Sequence, residues 1–329
     1  MKKLLHRVAF RAEALVARLI ETRKRTPGET HLDPHIGYAT PSDVILRGRI
    51  LDDPARESRM SGGTFGNIWG MLSLFFTDEV AGVRVACGSV ATETDEEGYF
   101  DLRVPRDDQT GWVRYTLAIG STDTAVECWA YVPRPDATVM VISDIDDTMM
   151  ETGAYSLLRN LWTTFSGNVA TRHVFDDSIA LIEDLSDSGR NPIYYVSSSP
   201  WNMHAFLQHV FKRAGLRPGP MFLRDLGISE TKFITGGHGD HKGRSIDTLL
   251  DANPDLPAIL VGDTGQKDAS IYLEAYRRHP DRIQAIILRR AGPGRIETQN
   301  DALAELAQLS IPVLTGQDFD GFAQRVGRF

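Results

Sequence analysis

Three aspartates stand within four positions near the middle of the chain, directly after an apolar run. Asp144, Asp146 and Asp147 follow residues 139–143, and Thr148 completes a D-x-D-x-T pattern that begins at Asp144. Carboxylates this close repel one another when they lose hydration, and a cation among them removes that cost. Mg²⁺ suits carboxylate oxygens and accepts phosphate oxygens as further ligands. The segment predicts a Mg²⁺ site, although the pattern alone also fits a solvated acidic turn.

A run of hydroxyl side chains follows the next apolar segment. Ser197, Ser198 and Ser199 come directly after residues 193–196 and precede a segment of helical periodicity. Hydroxyl groups and backbone N–H groups at the start of a helix form a site of the size of a phosphate group. The same serines also suit an ordinary helix N-cap, so the residues around them decide between the two interpretations.

A lysine and two further aspartates complete the set. Lys242 follows the glycine-rich loop 236–241 and opens a helical segment. Asp263 ends an apolar run, where its carboxylate could complete the cation site. Asp268 begins the next helical segment, where it could act only as a cap. Each feature lies on a separate strand or helix start, and their order along the chain is more specific than any one of them.

The elements that must position these residues alternate between strands and helices. Continuous apolar runs, which indicate strands buried on both faces, are separated by helical segments. This pattern predicts a parallel α/β sheet, and in such sheets chemistry gathers at the carboxyl ends of the strands. The predicted strands are 138–142, 193–196, 258–261, 283–288 and 311–314, and the predicted helices are 176–185, 203–214, 242–250 and 268–278.

The segment before this α/β region has a β texture. Short strand-like runs cover 45–51, 82–86 and 100–104, and residues 113–119 alternate with period two, which together predict a small antiparallel β-sandwich over 43–136. Residues 26–42 hold three prolines and two glycines and are interpreted as a linker. Cys87 and Cys128 both fall in the β segment, either as two small buried thiols or as a pair.

Charge is distributed unevenly along a chain of ordinary globular composition. The hydrophobic fraction is 42% and the charged fraction 24%, which excludes a disordered or fibrous protein, and the formal net charge is −8. Residues 1–25 hold 8 Lys/Arg and 2 Asp/Glu in an amphipathic helical pattern. That helix either packs on the protein or touches anionic lipid. We expect no nucleic-acid partner.

The apolar run of residues 1–25 is interrupted by charges, so we do not expect a cleaved secretory signal. The longest apolar runs are also too short to span a bilayer. These features predict a cytoplasmic protein, with peripheral association at the inner membrane surface if the basic helix binds lipid.

Four phrases carry a resemblance to a known family. Residues 142–148, 195–202, 222–227 and 262–268 resemble the catalytic domain of the actin-patch-associated phosphatidate phosphatases. The wider set, over about 138–314, resembles the haloacid dehalogenase superfamily of aspartate-nucleophile phosphatases. The resemblance implies a haloacid-dehalogenase-like catalytic domain over 137–329, a parallel sheet flanked by helices without a large cap. Some bacterial members similarly carry a β-rich segment in front.

The resemblance also implies a role for each matching residue. Asp144 would attack phosphorus and form an aspartyl-phosphate, and Asp146 would act as general acid and then as general base. Mg²⁺ would be held by Asp144, the backbone carbonyl of Asp146, and Asp263. Thr148 would order the loop.

The remaining site residues are assigned to the phosphate group. Ser197, with Ser198 beside it, and Lys242 would bind the substrate phosphate, and Asp268 would orient Lys242 or a water molecule at the cation. The favoured reaction is hydrolysis of phosphatidate to diacylglycerol and phosphate, at a phospholipid or membrane surface. The alternatives are an open-site phosphatase for phosphoproteins or soluble phosphate esters, and a membrane-surface binding module with a vestigial site. The sequence leaves the oligomeric state open.

Overall fold

Two β-sheets organise the chain. The computed structural model describes residues 31–51, 80–120, 125–150, 174–224, 238–290 and 300–327. The predicted basic helix, 1–25, and the segments 151–173 and 225–237 that bear on a cap lie outside these ranges. No helix within them is long and apolar enough to cross a bilayer.

The first sheet is built from seven strands that curl around one apolar core. Their order across the sheet is β4-β3-β6-β7-β1-β2-β5, and every neighbouring pair is antiparallel except β1 and β7. The edge strand β5 packs against β3 and β4 at the other end of the order. The strands are β1 His31–Ala39, β2 Asp43–Leu51, β3 Arg84–Cys87, β4 Val90–Glu93, β5 Tyr99–Pro105, β6 Gly111–Ile119 and β7 Ala125–Val132.

This sheet differs from the sequence prediction in two respects. The strands belong to one hydrogen-bonded sheet whose edges meet, where a sandwich of two sheets was expected. Residues His31–Ala39, which their prolines and glycines assigned to a linker, form β1, between β2 and β7. Pairing with β2 along most of the strand, with a register shift between His35 and Tyr38, outweighs the local preference of Pro34. Cys87 and Cys128 are both free thiols, the second one buried.

The second sheet confirms the predicted parallel α/β architecture. Its six strands run in the order β10-β9-β8-β11-β12-β13, and every neighbouring pair is parallel. The strands are β8 Met140–Asp144, β9 Ile193–Pro200, β10 Met221–Arg224, β11 Ala258–Asp263, β12 Ile283–Arg289 and β13 Val313–Gly316.

Helices cover both faces of this sheet. Side chains alternate along β8 and the residue before it: Val139 and Val141 belong to one apolar cluster, and Met140 and Ile142 belong to the other. The first cluster includes residues of α1, α2 and α6, and the second includes residues of α3, α4 and α5. The helices are α1 Asp176–Ser186, α2 His204–Ala214, α3 His238–Ala252, α4 Asp268–Arg278, α5 Asn300–Leu306 and α6 Phe322–Val326.

The sheet order explains how distant motifs meet. β8 lies between β9 and β11, so Asp144, Ser197 and Asp263 come to the same edge of the sheet. All strands of the sheet are parallel, and the loops that leave their carboxyl ends therefore share one crevice.

Candidate active site

Asp144 lies at the carboxyl end of β8 and is only 1% exposed. Thr148 Oγ1 donates a hydrogen bond to Asp144 Oδ2 at 3.0 Å, and Lys242 Nζ lies 2.7 Å from Asp144 Oδ1. The two carboxylate oxygens therefore have separate partners, one on the loop that follows β8 and one on α3. Burial, and then the charge of Asp268, raise the pKa of Asp144 well above its ordinary value, whereas Lys242 opposes that shift.

Lys242 joins two carboxylates. It lies in the second turn of α3, since this helix begins at His238 and not at Lys242 as the sequence predicted. Its Nζ contacts Asp144 Oδ1 and donates to Asp268 Oδ1 at 2.5 Å. Burial disfavours the ammonium charge, but the two carboxylates outweigh burial and raise the pKa of Lys242.

Asp263 and Asp268 frame the other side of the site. Asp263 Oδ1 accepts hydrogen bonds from the backbone N–H groups of Gly265, at 2.6 Å, and Gln266, at 2.8 Å. Asp263 Oδ2 is buried and has no hydrogen-bond partner in the described part of the chain. Burial, followed by the charge of Asp268, raises the pKa of Asp263 to about 8. This carboxylate thus has one anchored oxygen and one oxygen left for a ligand.

A glycine allows α4 to approach the end of β11. A Cβ atom on Gly262 would lie 2.6 Å from Asp268 Oδ2 and 2.7 Å from the ring of Tyr272. Asp268 Oδ2 also accepts the backbone N–H of Asp263 at 3.3 Å, and Tyr272 donates its hydroxyl to the carbonyl of Val261. Close contact of strand and helix places Asp268 next to Lys242.

Asp146 contacts the serine run of β9. Asp146 Oδ2 accepts hydrogen bonds from Ser197 Oγ at 2.6 Å and from Ser199 Oγ at 2.9 Å. Strand β9 continues through Pro200, whereas the sequence predicted that it ends at Val196. Because side chains alternate along a strand, Ser197 and Ser199 share a face and Ser198 lies on the opposite one. The sequence analysis named Ser199 in the serine run but gave it no role of its own, because it predicted that the strand ends at Val196.

Arg289 is a residue that the sequence analysis missed. It ends β12, is buried, and donates from Nε to the backbone carbonyl of Thr148 at 3.2 Å. The same carbonyl accepts a hydrogen bond from Ser178 Oγ, and Arg289 also contacts Asp177 Oδ2 at 2.7 Å. These bonds attach the loop after β8 to the start of α1. The apolar run ends in two arginines, Arg289 and Arg290, and nothing in the sequence distinguished the one with this role.

The donor set fits a divalent cation. Oxygens of Asp144, Asp263 and Asp268 lie within 4.8 Å of one another, and all three side chains are buried. Together with the ammonium group of Lys242, these three carboxylates carry two net negative charges when all are ionised, which a divalent ion would neutralise. Hard oxygen donors suit Mg²⁺.

The fold and the site define an α/β domain with an aspartate-rich crevice at the carboxyl edge of its parallel sheet. Residues 139–290 match the family model described as the catalytic domain of phosphatidate phosphatase APP1. This match confirms, for residues 139–290, the resemblance drawn from the four phrases.

Two curated proteins are similar to this chain. The chain is 30% identical to phosphatidate phosphatase APP1 of Saccharomyces cerevisiae over 149 residues, which are 45% of this chain and 25% of the relative. It is 26% identical to the uncharacterized protein C29B5.04c of Schizosaccharomyces pombe over 209 residues, which are 60% of this chain and 34% of that protein. The chain therefore spans only a quarter to a third of the length of these relatives.

One solved structure shows a distant likeness to this chain. The carbohydrate acetylesterase XAC1771 of Xanthomonas citri matches 85% of this chain and 73% of its own, with 9% identity and a TM-score of 0.28. A likeness at this level bears on neither fold nor function.

Proposed function

We propose that the chain is a Mg²⁺-dependent phosphatase that works through an aspartyl-phosphate on Asp144, with phosphatidate as the favoured substrate. The observation that carries the proposal is the convergence of Asp144, Asp263 and Lys242 at one edge of the parallel sheet. We assign this chemistry to a haloacid-dehalogenase-like catalytic domain over 137–329, with 43–136 as an accessory β domain.

Asp144 is the proposed nucleophile because its carboxylate is held in one orientation. A carboxylate oxygen of Asp144 forms a bond to phosphorus while the bond from phosphorus to the alkoxide oxygen breaks. Water then attacks the acyl phosphate, which releases inorganic phosphate and restores the carboxylate. Thr148 fixes one oxygen of Asp144, and Lys242 balances negative charge at the other.

Asp146 is the proposed proton carrier. It gives a proton to the departing alkoxide and takes one from the attacking water, so that its protonation state is unchanged after a full cycle. Ser197 and Ser199 hold its Oδ2, and because a hydroxyl group both donates and accepts, this contact persists in either protonation state. Oδ1 of Asp146 is buried and makes no hydrogen bond to the described residues, which leaves it for the substrate.

Mg²⁺ would be held by Asp144, the backbone carbonyl of Asp146, and Asp263. When bound, the cation withdraws charge from the transferring phosphoryl group. The carbonyl of Asp146 accepts a hydrogen bond from Gln266 Nε2 at 3.2 Å. Gln266 lies in the loop that directly follows Asp263, whose Oδ2 makes no hydrogen bond to the described residues. Gln266 therefore orients the carbonyl that we assign to the cation.

Ser197 and Lys242 are proposed to bind the phosphate group. The sequence also assigned Ser198 to it, but the side chain of Ser198 lies on the opposite face of β9. The ammonium of Lys242 lies beside Asp144 Oδ1, where it would offset the negative charge of the phosphoryl oxygens that approach this carboxylate. Ser197 already contacts Asp146, so its hydroxyl would be shared between the acid–base residue and the substrate. Asp268 keeps Lys242 in place.

Phosphatidate is favoured because the curated relative of known activity is named a phosphatidate phosphatase. The basic segment 1–25 supports contact with an anionic lipid surface, since each basic residue near such a surface contributes about 1 kcal/mol. We therefore propose a cytoplasmic enzyme that contacts the inner membrane surface peripherally.

The test is a phosphate-release assay with Asp144→Asn and a matched control. The substitution removes the nucleophile and should lower phosphate release by at least about 1,000-fold. Asp147→Asn changes the neighbouring carboxylate in the same loop, and asparagine also tolerates the positive φ of 61° at that position. The control should retain activity within about tenfold of the parent. Equal activity of the parent and Asp144→Asn would refute the nucleophile assignment.

The substrate class is tested by comparing phosphatidate in mixed micelles with phosphopeptides and soluble phosphate esters, with and without Mg²⁺. We expect the highest turnover on phosphatidate and none after chelation. Higher turnover on phosphopeptides or soluble esters would replace phosphatidate with that class. Liposome binding without turnover of any phosphate ester would instead identify a membrane-binding module.

A further inference from the structure

A second cluster of metal-binding side chains lies where the two sheets meet. Asp33 and His35 are on β1 of the first sheet, and His204 is the first residue of α2 beside the second sheet. One ligand atom from each residue lies within 4.8 Å of the others. None of the three belongs to the aspartate crevice.

The distances leave a gap between the three side chains. His204 Nδ1 lies 3.7 Å and His35 Nε2 lies 3.9 Å from Asp33 Oδ2. Both separations are too long for hydrogen bonds. A tetrahedral metal ion with bonds of ~2.0–2.1 Å separates its ligand atoms by about 3.3 Å. The two separations from Asp33 Oδ2 exceed this spacing by only about half an ångström.

His204 offers a lone, buried ligand atom. Its side chain is 2% exposed, and Nδ1 has no hydrogen-bond partner among the residues that the structure describes. A buried polar atom in this state costs free energy unless a ligand meets it. The side chain of His35 is equally buried, and its ring stacks on Trp201 at 4.6 Å with an interplanar angle of 2°. Packing thus fixes both rings before any ion binds.

The chemistry of the cluster favours a transition metal over Mg²⁺. Two imidazoles and one carboxylate suit Zn²⁺ and its neighbours, whereas Mg²⁺ prefers oxygen ligands alone. Arg47 and Arg49 place positive charge near His35, so electrostatic attraction alone would not hold a cation at this cluster. Burial and the nearby His204 also lower the pKa of His35, and the neutral ring is the form that binds metals.

The cluster opens towards solvent at Asp33, which is 21% exposed on its side chain. Asp33 also lines a cavity of about 900 Å³, together with His209 and Lys212 of α2. Three protein ligands with an open side leave a coordination position for water or another small ligand.

We propose that Asp33, His35 and His204 bind one divalent transition-metal ion, and that this ion fastens β1 of the first sheet to the start of α2. The segment that joins β9 to α2 contains Trp201 and Asn202 and begins two residues after Ser199, which contacts Asp146. Asn202 Oδ1 also accepts hydrogen bonds from Arg49 and Tyr99 of the first sheet. The ion therefore strengthens an attachment that the two sheets already make at this segment.

The experiment is a calorimetric Zn²⁺ titration of the full chain after chelation, in saturating Mg²⁺ so that the aspartate crevice is occupied. The parent protein should bind one equivalent of Zn²⁺. The variants Asp33→Asn and His204→Gln should bind it at least ~100-fold more weakly. Thermal unfolding supplies a second measurement, because an ion that binds only the folded state raises the midpoint. The midpoint of the parent should rise with Zn²⁺, and those of the two variants should not.

Two controls separate this cluster from other sites. His279→Gln removes a histidine that bonds Asp247 directly at 2.9 Å, and Asp263→Asn alters the aspartate crevice. Both variants should still bind one equivalent of Zn²⁺. Asp33 is partly exposed, so Asp33→Asn decides the outcome if His204→Gln fails to fold. Absence of a stoichiometric Zn²⁺ site in the parent, or parent-like binding by Asp33→Asn, would overturn the proposal. The result of this test does not depend on whether the protein has phosphatase activity.

Discussion

Lys242 Nζ lies 2.5 Å from Asp268 Oδ1, and this contact joins the second turn of α3 to the first residue of α4. Both side chains are buried, and the same ammonium group contacts Asp144 at the end of β8. One lysine thus holds three elements of the crevice together. Removing either partner leaves buried charge without compensation, which costs more than the pair itself gains.

Replacing Lys242 should impair both folding and catalysis. Lys242→Met leaves Asp144 and Asp268 without their shared cation, so we expect the Mg²⁺-free protein to lose about 3 kcal/mol of unfolding free energy. Phosphate release should fall by at least about 100-fold, since the transition-state charge loses a donor. Denaturant unfolding and a phosphate-release assay measure the two effects. Lys212→Met, at an exposed position of α2, is the control and should change stability by less than about 0.5 kcal/mol. Parent-like turnover by Lys242→Met would contradict its role.

Mg²⁺ affinity should rise with pH because the cation competes with a proton on Asp263. Its pKa of about 8 in the Mg²⁺-free protein means that binding near neutral pH releases that proton, and affinity should level off above about pH 8. The folded-state pKa lies above the ordinary value of 3.8, so the Mg²⁺-free protein should lose stability as pH rises from about 4 to 8. Calorimetry and unfolding across this range test both trends. Asp263→Asn should bind Mg²⁺ weakly and reduce both pH dependences, and the remainder belongs to Asp144, whose pKa burial also raises. An unchanged pH dependence would exclude Asp263 as a contributing group.

The α/β half of the fold was predictable because its signals are local. Helix α4 runs from Asp268 to Arg278, as its periodicity predicted, and Asp144 and Asp263 end buried strands as expected. Parallel strands between helices bring their carboxyl ends to one edge by a general rule, so the meeting of the motifs required no knowledge of the register.

The remaining features depend on pairing between distant segments. β1 contains Pro34, a strand breaker by local rules, yet it pairs with both β2 and β7. The extension of β9 through the serines decides that Ser199 and not Ser198 contacts Asp146, and it rests on pairing of Pro200 with Arg224. No local sequence pattern indicates which distant strands pair with each other.

Arg289 should act as a positioning residue for the catalytic loop. Arg289→Met removes the donors to the carbonyl of Thr148 and to Asp177, so we expect a loss of about 3 kcal/mol in unfolding free energy. A looser loop also misplaces Asp144, and phosphate release should fall by up to about 100-fold. Arg290→Met, at the exposed neighbouring position, is the control and should behave as the parent in both assays. Equal stability of the two variants would show that the contacts of Arg289 are dispensable.

Two glycines near Lys242 should respond in opposite directions to the same substitution. Gly262→Ala places a Cβ 2.6 Å from Asp268 Oδ2, so α4 must shift, which should cost about 1–3 kcal/mol and reduce phosphate release. Gly243→Ala, inside α3, brings its Cβ no closer than 3.6 Å to the flexible end of Arg278 and should stabilise the protein by about 0.5–1 kcal/mol. Denaturant unfolding measures both changes. A neutral Gly262→Ala would mean that α4 does not need its close approach to β11 to hold Asp268 against Lys242.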